Sequence, residues 1–344
     1  MNAPIRPSER NRRVPHAKQE GRWLLADEAR AALAGAPGEL PTAFTVQGPP
    51  VAELSDPTSR ELVPLEPGAP GAPGPVGFDV VVPLLHGPYG EDGTVQGMLD
   101  LADLPYVGSG VLGSAVGMHK GAMKQMLAAA RLPQGAYLEF RDGQDRDAFA
   151  ARAVDELGLP CFVKPANMGS SVGVAKAHDE TELAAAIDLA LSYDEEILVE
   201  AMVDGREIEV AVLGSLEPEA SLPGEVVPGA EFYSYADKYE DGAAQLLAPA
   251  PLSEEETFAV RTLAVRAFTA CRCEGMARVD CFYEENGRGF LVNELNTIPG
   301  FTPISMYPRL WEVSGLPYPQ LLDRLVDLAI ERHDRRASRA GRQR

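Results

Sequence analysis

The stretches ARVDCFY (residues 277–283) and FLVNELNTIPG (residues 290–300) decide the fold of this chain. Both are apolar, and the loop between them contains Asn-Gly, which is a strong signal for a tight turn. Together they predict a β-hairpin. Pairing the two arms about that turn places Asp280 near Asn293 and Glu294 on the neighbouring strand.

This predicted hairpin groups oxygen ligands on one face. Glu294 and Asn296 are two residues apart, so they share a face of their strand. With Asp280 they offer the hard oxygen ligands that Mg²⁺ favours when nucleotide phosphates complete its octahedron. Arg278 projects from the same face, where it could hold an anion beside the metal. The sequence therefore predicts a metal–phosphate site.

Length and composition narrow the class of protein. The 344 residues allow two or three domains of a soluble globular protein. No apolar run approaches the roughly 20 residues of a membrane span, and no apolar signal segment opens the chain, so we expect a cytoplasmic protein. The formal net charge of −20 argues against nucleic acid as the main ligand.

The cysteines give no sign of a metal or disulfide framework. Cys161, Cys271, Cys273 and Cys281 form no CxxC pair, and no histidine lies near them at zinc-finger spacing. Cys161 and Cys281 stand in apolar, strand-like runs, where a buried and inert thiol is expected.

Strand and helix patterns alternate along most of the chain. Apolar runs predict strands over 78–85, 159–164 and 197–203, and helical patterns begin near Thr94 and span 110–131, 179–191 and 319–332. A capping box formed by Ser253 and Glu256 opens a further helix. These patterns predict an α/β protein.

A lysine followed by small residues suggests a phosphate-binding loop. The stretch CFVKPANMGSSVG (residues 161–173) is a strand carrying Lys164, followed by a loop with Ser170 and Ser171. Glycines let backbone N–H groups approach phosphate oxygens, and the lysine adds charge. The lysine precedes the glycines, unlike in a Walker P-loop. Taken alone, the stretch could equally be a structural turn.

The stretch LVEAMVDGRE (residues 198–207) suggests a nucleoside site. Glu200 lies in a predicted strand, and Glu207 follows seven residues later. Apolar residues of this stretch, which includes Val203, could sandwich an adenine while the carboxylates accept hydrogen bonds from the amino group and the ribose. An ordinary strand–turn–strand segment is the alternative.

These segments resemble those of the D-alanine–D-alanine ligases in the ATP-grasp superfamily. The resemblance extends to LHGPYGEDGTVQG (residues 85–97), PYVGSG (residues 105–110) and Lys238-Tyr239. The resemblance covers roughly residues 21–332. It implies two ATP-grasp subdomains with antiparallel sheets, preceded by a truncated Rossmann-like domain. The implied division is a disordered tail (1–20), an incomplete N-terminal domain (21–116), a central subdomain (117–210), a C-terminal subdomain (211–333) and a basic tail (334–344).

The resemblance also implies residue roles. The nucleotide-binding residues are Lys120, Lys164, Ser171, Glu200, Val203, Glu207 and Lys238. The ligands of two Mg²⁺ ions, which Mn²⁺ could replace, are Asp280, Glu294 and Asn296. The catalytic residues are Arg278 and the Gly300 backbone, which stabilise an oxyanion, and Ser170 and Tyr239, which belong to a hydrogen-bond triad. The substrate-side residues are His86, Ser305 and Met306.

The implied reaction joins two D-alanines for peptidoglycan precursor synthesis. ATP phosphorylates one carboxylate to an acyl phosphate, and the amine of the second D-alanine then displaces phosphate. Metals and lysines neutralise charge on the γ-phosphoryl group, and closure of the loop with Lys238 and Tyr239 excludes water. Tyr239 favours D-alanine over D-lactate as the second substrate. The family resemblance also implies a homodimer.

Two positions depart from the family pattern. Family members open with an apolar strand and a Gly-Gly-x-Ser-x-Glu loop, whereas this chain begins MNAPIRPSER, and Ser8-Glu9 is only a superficial echo that receives no role. Either the natural protein is longer or this is an impaired copy. His119 stands where the family usually has aspartate. Two alternatives stay open: a ligase for another second substrate, D-lactate or D-serine, and a nucleotide-binding pseudoenzyme.

Overall fold

The computed structural model describes residues 14–17, 23–26, 50–53, 61–64, 76–169, 171–227, 245–302 and 305–342. The chain divides into two compact units. The first comprises Met1–Asp79 with Leu101–Leu104, and the second comprises Val80–Asp100 with Pro105–Arg344.

The described strands of the first unit form an antiparallel meander. They pair in chain order: β1 (Val14–Ala17), β2 (Trp23–Ala26), β3 (Pro50–Glu53), β4 (Glu61–Pro64) and β5 (Val76–Gly77). Val14–Ala17, which lies within the tail expected over 1–20, pairs with Trp23–Ala26. The antiparallel pairing also differs from the parallel strands expected of a Rossmann-like domain.

The strand predicted over residues 78–85 is wrong. Val81 makes one isolated parallel bridge with Tyr106, and the side chains of Val82 and Leu84 are 42% and 49% exposed. A continuous apolar run indicates burial on both faces, but within the described residues this run has a pairing partner at a single point.

The described helices are α1 (Thr94–Leu101), α2 (Val111–Met118), α3 (Lys120–Ala129), α4 (Arg146–Leu157), α5 (Glu180–Leu191), α6 (Glu254–Ala270), α7 (Met306–Val313) and α8 (Tyr318–Ala337). The capping box of Ser253 and Glu256 is confirmed at the start of α6. Within this described part of the chain, no helix is long and apolar enough to cross a membrane.

Two helices differ from their predicted bounds. The helix expected over 110–131 is interrupted at His119, whose extended backbone ends α2 and whose ring caps α3. The last helix continues beyond 332 to Ala337, and Arg335 and Arg336 in its last turn both pair with Glu274. The predicted basic tail therefore begins inside a helix.

A four-stranded antiparallel sheet forms the central part of the second unit. Its strands are β6 (Tyr137–Arg141), β7 (Cys161–Pro165), β8 (Ala175–Ala177) and β9 (Glu196–Ala201), in the order β6-β9-β7-β8. Apolar residues of α4 and α5, such as Phe149 and Ile187, pack with Val163 and Val199 in one buried cluster. Burial of that face leaves the alternate residues of β7 and β9 for other contacts.

A second antiparallel sheet, here called the C-terminal sheet, carries the hairpin. Its strands are β10 (Arg206–Gly214), β11 (Glu219–Ala220), β12 (Gly224–Val227), β13 (Gln245–Leu247), β14 (Gly275–Glu284) and β15 (Gly289–Asn296). The order is β13-β12-β10-β14-β15, with β11 beside β10.

The two faces of the C-terminal sheet have different partners. On one face, Val210 and Val279 pack with apolar residues of α6. On the other face, Leu213 and Met276 pack with residues of α7 and α8. This second face continues along β14 into charged residues, so the core packing ends where the polar site begins.

The four cysteines are buried and free, as predicted for Cys161 and Cys281. Burial raises the pKa of Cys271 to about 12. Such thiols remain protonated and unreactive at neutral pH.

Candidate active site

Three carboxylates lie in a row across neighbouring strands of the C-terminal sheet. Asp280 on β14 is paired in register with Glu209 on β10 and with Glu294 on β15. Paired residues of antiparallel strands share a face, and the pair Arg278 and Asn296 continues that face two residues further along. The predicted hairpin and the approach of Asp280 to Glu294 are confirmed.

A β-bulge sets the face that Glu294 and Asn296 occupy. The pairing shifts directly after Asp280, so Asn293 is an extra residue on β15. Val292 packs in the core, and strict alternation would turn Glu294 toward that same core. The extra residue moves Glu294 and Asn296 to the face of Asp280 instead.

Arg278 is held by two carboxylates. Its Nε and one terminal nitrogen donate to the two oxygens of Asp280, both at 2.7 Å, and Nε lies 3.2 Å from Glu209 Oε2. Burial opposes the charge, but the neighbouring carboxylates outweigh it and raise the pKa of Arg278 well above its usual value. The guanidinium is a fixed cation beside the carboxylate row.

The side chains of Asp280, Glu294 and Asn296 fit a divalent cation that shares its coordination with a ligand. They supply two carboxylates and one amide from a single face, and the Asn296 amide lies 2.8 Å from Asp280 Oδ2. Among the described residues, no three His, Cys, Asp or Glu side chains form a complete metal cage. The donor set suits Mg²⁺, which uses one or two protein carboxylates and takes further ligands from phosphate and water.

Glu200 on β9 is buried between two lysines. Its Oε2 accepts a hydrogen bond from Lys164 Nζ at 2.7 Å, and its Oε1 lies 3.2 Å from Lys124 Nζ. Burial alone would raise the pKa of Glu200, but the two lysines outweigh it and lower this pKa to about 2. Burial also opposes the charge of Lys164, yet Glu200 raises its pKa. Glu200 and Lys164 are therefore both charged at neutral pH.

Lys120 reaches the loop that follows β7. Its Nζ donates to the carbonyl oxygen of Met168 at 2.5 Å, and its backbone N–H donates to that of Ala166 at 3.0 Å. Burial lowers the pKa of Lys120, while the charge of Glu294 acts in the opposite direction. In the same loop Ser171 has a left-handed backbone, with φ of 58°, a conformation that costs free energy in residues other than glycine.

One pocket brings the two groups of charges together. It is lined by Lys120, Met168 and Gly169 and also by Glu294 and Asn296. The predicted phosphate lysine and two of the three predicted metal ligands therefore border one space. A separate pocket beside His119 and Glu196 contains none of the predicted site residues.

A buried carboxylate connects the loop of His86 with the segment after β15. Glu91 accepts hydrogen bonds from the backbone N–H groups of Gly87, at 2.7 Å, and Ile298, at 3.2 Å. His86 Nδ1 lies 2.9 Å from the carbonyl oxygen of Ile298. Burial raises the pKa of Glu91, although these backbone donors and His86 act against it. The structure thus places His86 next to the end of the hairpin.

Gly300 and Ser305 approach closely. A Cβ at position 300 would lie 2.8 Å from Ser305 Oγ, so a larger residue would displace that hydroxyl. Ser305 Oγ accepts a hydrogen bond from the backbone N–H of Thr302 at 3.0 Å. Met306 was predicted to contact substrate. Its side chain is buried and packs with Tyr307 in the core.

Two further predicted residues lie on or beside strands of the two sheets. Glu207 lies on β10, paired with Phe282, and the half-buried Val203 follows β9. The predicted residues Ser170, Lys238 and Tyr239 lie outside the described residues.

Three charged residues of this region were not predicted from the sequence. Lys124 stands four residues after Lys120 on one helix face, and Glu209 stands two after Glu207 on one strand face, so their spacing was an available signal. Glu91 belongs to a quoted segment, but its burial depends on contacts with Ile298, far along the chain.

The second unit contains two antiparallel sheets flanked by helices. One sheet bears a buried lysine–glutamate cluster, and the other bears a carboxylate row with an arginine. This is the architecture of an ATP-grasp enzyme. The family profiles agree. The profile described as D-ala D-ala ligase C-terminus matches residues 126–327, and that described as D-ala D-ala ligase N-terminus matches residues 8–109. The chain belongs to the D-alanine–D-alanine ligase family.

Curated relatives support this assignment. A D-alanine–D-alanine ligase of Solibacter usitatus (strain Ellin6076) is 53% identical over 268 residues, which cover 78% of this chain and 80% of the relative. The D-alanine–D-alanine ligase of Geobacillus kaustophilus (strain HTA426) is 45% identical over 317 residues, covering 91% and 84%.

Solved structures show the same fold. The D-alanine–D-alanine ligase from Coxiella burnetii has a TM-score of 0.79 and 38% identity, covering 94% of this chain and 85% of that one. The VanG D-Ala:D-Ser ligase from Enterococcus faecalis has a TM-score of 0.76 and 31% identity, covering 90% and 87%.

Proposed function

We propose that this enzyme joins two D-alanines through an acyl phosphate, with cleavage of ATP to ADP and phosphate, and so supplies D-alanyl-D-alanine for peptidoglycan precursors. The observation that carries the proposal is the single pocket bordered by Lys120, Glu294 and Asn296. Lysine and hard oxygen ligands around one space are suited to the phosphates of a nucleotide and their metal.

The nucleotide is proposed to lie along the central and C-terminal sheets. Lys120 and Lys164 supply positive charge for its phosphates. The positions of the two ammonium groups support this role, because Lys120 contacts the loop after β7 and Lys164 contacts Glu200. The other proposed contacts are Ser171 and Lys238 with phosphate, and Glu200, Val203 and Glu207 with adenine and ribose.

Asp280, Glu294 and Asn296 are proposed to hold two Mg²⁺ ions, for which Mn²⁺ could substitute. When bound, such ions neutralise charge on the phosphoryl oxygens. Their sharing of one face with Arg278 supports this assignment.

The substrate end is proposed to involve both charge and shape. Arg278 and the backbone N–H of Gly300 stabilise the oxyanion that forms when the amine attacks the acyl phosphate. The absence of a Cβ at Gly300 allows its approach to Ser305. The remaining proposed contacts are His86, Ser305 and Met306 with substrate, and Ser170 and Tyr239 in the hydrogen-bond triad.

Further proposals concern the whole protein. We propose a cytoplasmic homodimer with an N-terminal domain (21–116), a central subdomain (117–210) and a C-terminal subdomain (211–333). Closure of the loop that carries Lys238 and Tyr239 would exclude water, which otherwise hydrolyses the acyl phosphate.

The proposal is tested by ADP release from the purified chain with ATP, Mg²⁺ and D-alanine. We expect D-alanine-dependent turnover that is lost in an Asp280→Ala, Glu294→Ala double variant. ATP binding without D-alanine-dependent ADP release would contradict the proposal and indicate a pseudoenzyme.

A second acceptor is a specific alternative, because the similar structure from Enterococcus faecalis is a D-Ala:D-Ser ligase. Mass spectrometry of products formed with equimolar D-alanine, D-serine and D-lactate at fixed pH distinguishes the three. We expect D-alanyl-D-alanine to predominate. If a product of D-alanine with D-serine or D-lactate predominates, that acceptor takes the place of the second D-alanine in the proposal.

A further inference from the structure

Lys124 is a buried lysine without a role in the reaction as proposed. It lies on α3, one turn after Lys120, and its side chain is only 1% exposed. Its Nζ lies 3.2 Å from Glu200 Oε1 and 5.2 Å from the centre of the Tyr137 ring. Lysine is almost never buried to this degree unless its charge is paired, so its position depends on Glu200.

The two lysines that contact Glu200 differ in their surroundings. Lys164 contacts Oε2 and its side chain is 14% exposed, whereas Lys124 contacts Oε1 and is almost completely enclosed. Each lysine therefore has its own carboxylate oxygen. Loss of the Lys164 contact would leave the Lys124 contact in place.

A competition for Lys164 follows from the proposed nucleotide contacts. Its Nζ donates to Glu200 at 2.7 Å, and the same ammonium is proposed to bind phosphate. A turn toward phosphate weakens its contact with a buried carboxylate, and an unpaired buried carboxylate is strongly unfavourable. A second, permanent cation beside Glu200 removes most of that penalty.

We propose that Lys124 is a positioning residue: it is the permanent counterion of Glu200 and so leaves Lys164 free to bind the phosphates of the nucleotide. The inference rests on the proposed function, because it takes Lys164 as a phosphate ligand. Lys124 acts through Glu200 and does not itself contact the nucleotide.

The test compares two ligands that differ only in phosphate. Adenosine offers base and ribose, and ADP adds the groups that Lys164 binds. Dissociation constants for both are measured by calorimetry on the full chain and on Lys124→Met, which removes the charge but keeps the length. We expect ADP binding to weaken about tenfold to hundredfold, the equivalent of one charge-assisted contact, and adenosine binding to change less than about twofold.

A double variant tests the route of the effect. In Lys124→Met, Glu200→Gln, the neutral amide needs no counterion, so Lys164 is free again. We expect the ratio of the adenosine to the ADP dissociation constant to return to within about threefold of the original chain. This variant carries no unpaired carboxylate at position 200, so it keeps the inference testable if Lys124→Met alone does not fold by circular dichroism.

The outcomes separate the inference from the function. Equal weakening of ADP and adenosine in Lys124→Met would show a structural role and overturn the inference. A double variant whose ratio stays low would show that Lys124 serves the phosphates directly, which also overturns it. If the unmodified chain binds ADP no better than adenosine, the proposed phosphate contacts fail, and the inference fails with them.

Discussion

Arg278 donates to both oxygens of the Asp280 carboxylate, from Nε and from one terminal nitrogen, at 2.7 Å each. The planar guanidinium matches the carboxylate as a two-pronged donor, an arrangement that an ammonium group does not reproduce. The same arginine also lies 3.2 Å from Glu209. It therefore offsets repulsion within the carboxylate row while keeping a defined orientation.

We expect Arg278→Lys to lower D-alanine-dependent ADP release by about a hundredfold to a thousandfold, the usual loss on removal of an oxyanion donor. The KM for ATP should change much less, because the proposed nucleotide contacts are elsewhere. Steady-state kinetics measures both. Arg288→Lys is the matched control, since Arg288 also pairs with a carboxylate, Glu284, on the same hairpin but is half exposed. Similar losses in both variants would contradict a special role for Arg278.

We expect Asn296→Ala to raise the Mg²⁺ concentration for half-maximal ADP release about tenfold or more, because one proposed ligand is lost. Removal of divalent metal by EDTA should abolish release, and added Mg²⁺ or Mn²⁺ should restore it. Glu285→Ala, in the exposed turn of the hairpin, is the control and should leave the Mg²⁺ requirement unchanged. An unchanged requirement in Asn296→Ala would remove this residue from the proposed ligand set.

The Glu200 cluster makes stability depend on pH. The pKa of Glu200 falls from an ordinary value of 4.5 to about 2 on folding, which corresponds to about 3 kcal/mol of unfolding free energy. Because the folded-state pKa is the lower one, this contribution is present above about pH 4.5 and is lost as the pH falls toward 2.

Urea unfolding of the original chain and of Glu200→Gln between pH 7 and pH 3 measures this contribution. We expect the difference in unfolding free energy to be largest near neutrality and to shrink below about pH 4.5. Glu195→Gln changes an exposed neighbouring carboxylate and should give a small difference throughout. A Glu200→Gln difference that is constant with pH would argue against an ionised Glu200 in the folded protein.

His119 caps the helix that carries Lys120 and Lys124. Its Nδ1 accepts from the backbone N–H of Ala122 at 3.2 Å, and its Nε2 lies 3.0 Å from Glu196 Oε2. We expect His119→Ala to cost about 0.5–2 kcal/mol and to raise the KM for ATP, because Lys120 is the first residue of this helix. His119→Asn retains a capping acceptor and should be milder. Thermal unfolding measures the loss of stability, and steady-state kinetics measures the KM for ATP. Equal effects of the two substitutions would contradict the capping role.

The hairpin could be predicted because its pairing is local. Asp280 and Glu294 are separated only by a short turn, so composition and alternation suffice to bring them together. The bulge at Asn293 was not evident in the pattern, which placed Asp280 near both Asn293 and Glu294. Tertiary packing resolves that choice by keeping Val292 in the core.

Other contacts could not be predicted because they depend on strand order. Lys164 and Glu200 meet because β7 lies beside β9 in the central sheet, and Lys124 meets Glu200 because α3 packs nearby. The apolar run at 78–85 indicated a buried strand, yet hydrophobicity alone does not specify a pairing partner. The roles of Ser170, Lys238 and Tyr239 stay predictions.

The extra residue in β15 has a consequence for how the length of this hairpin can vary. The turn at 285–288 lies beyond the paired ends of both strands, so insertions there would lengthen an exposed loop and leave the site intact. Loss of Asn293 alone would remove the bulge and leave a regular ladder, in which Val292 still faces the core and Glu294 still faces Asp280. Natural insertions and grafted loops should therefore be tolerated at the tip, and so should deletion of Asn293, whereas deletion of Leu295 would place Glu294 and Asn296 on opposite faces and should abolish metal binding.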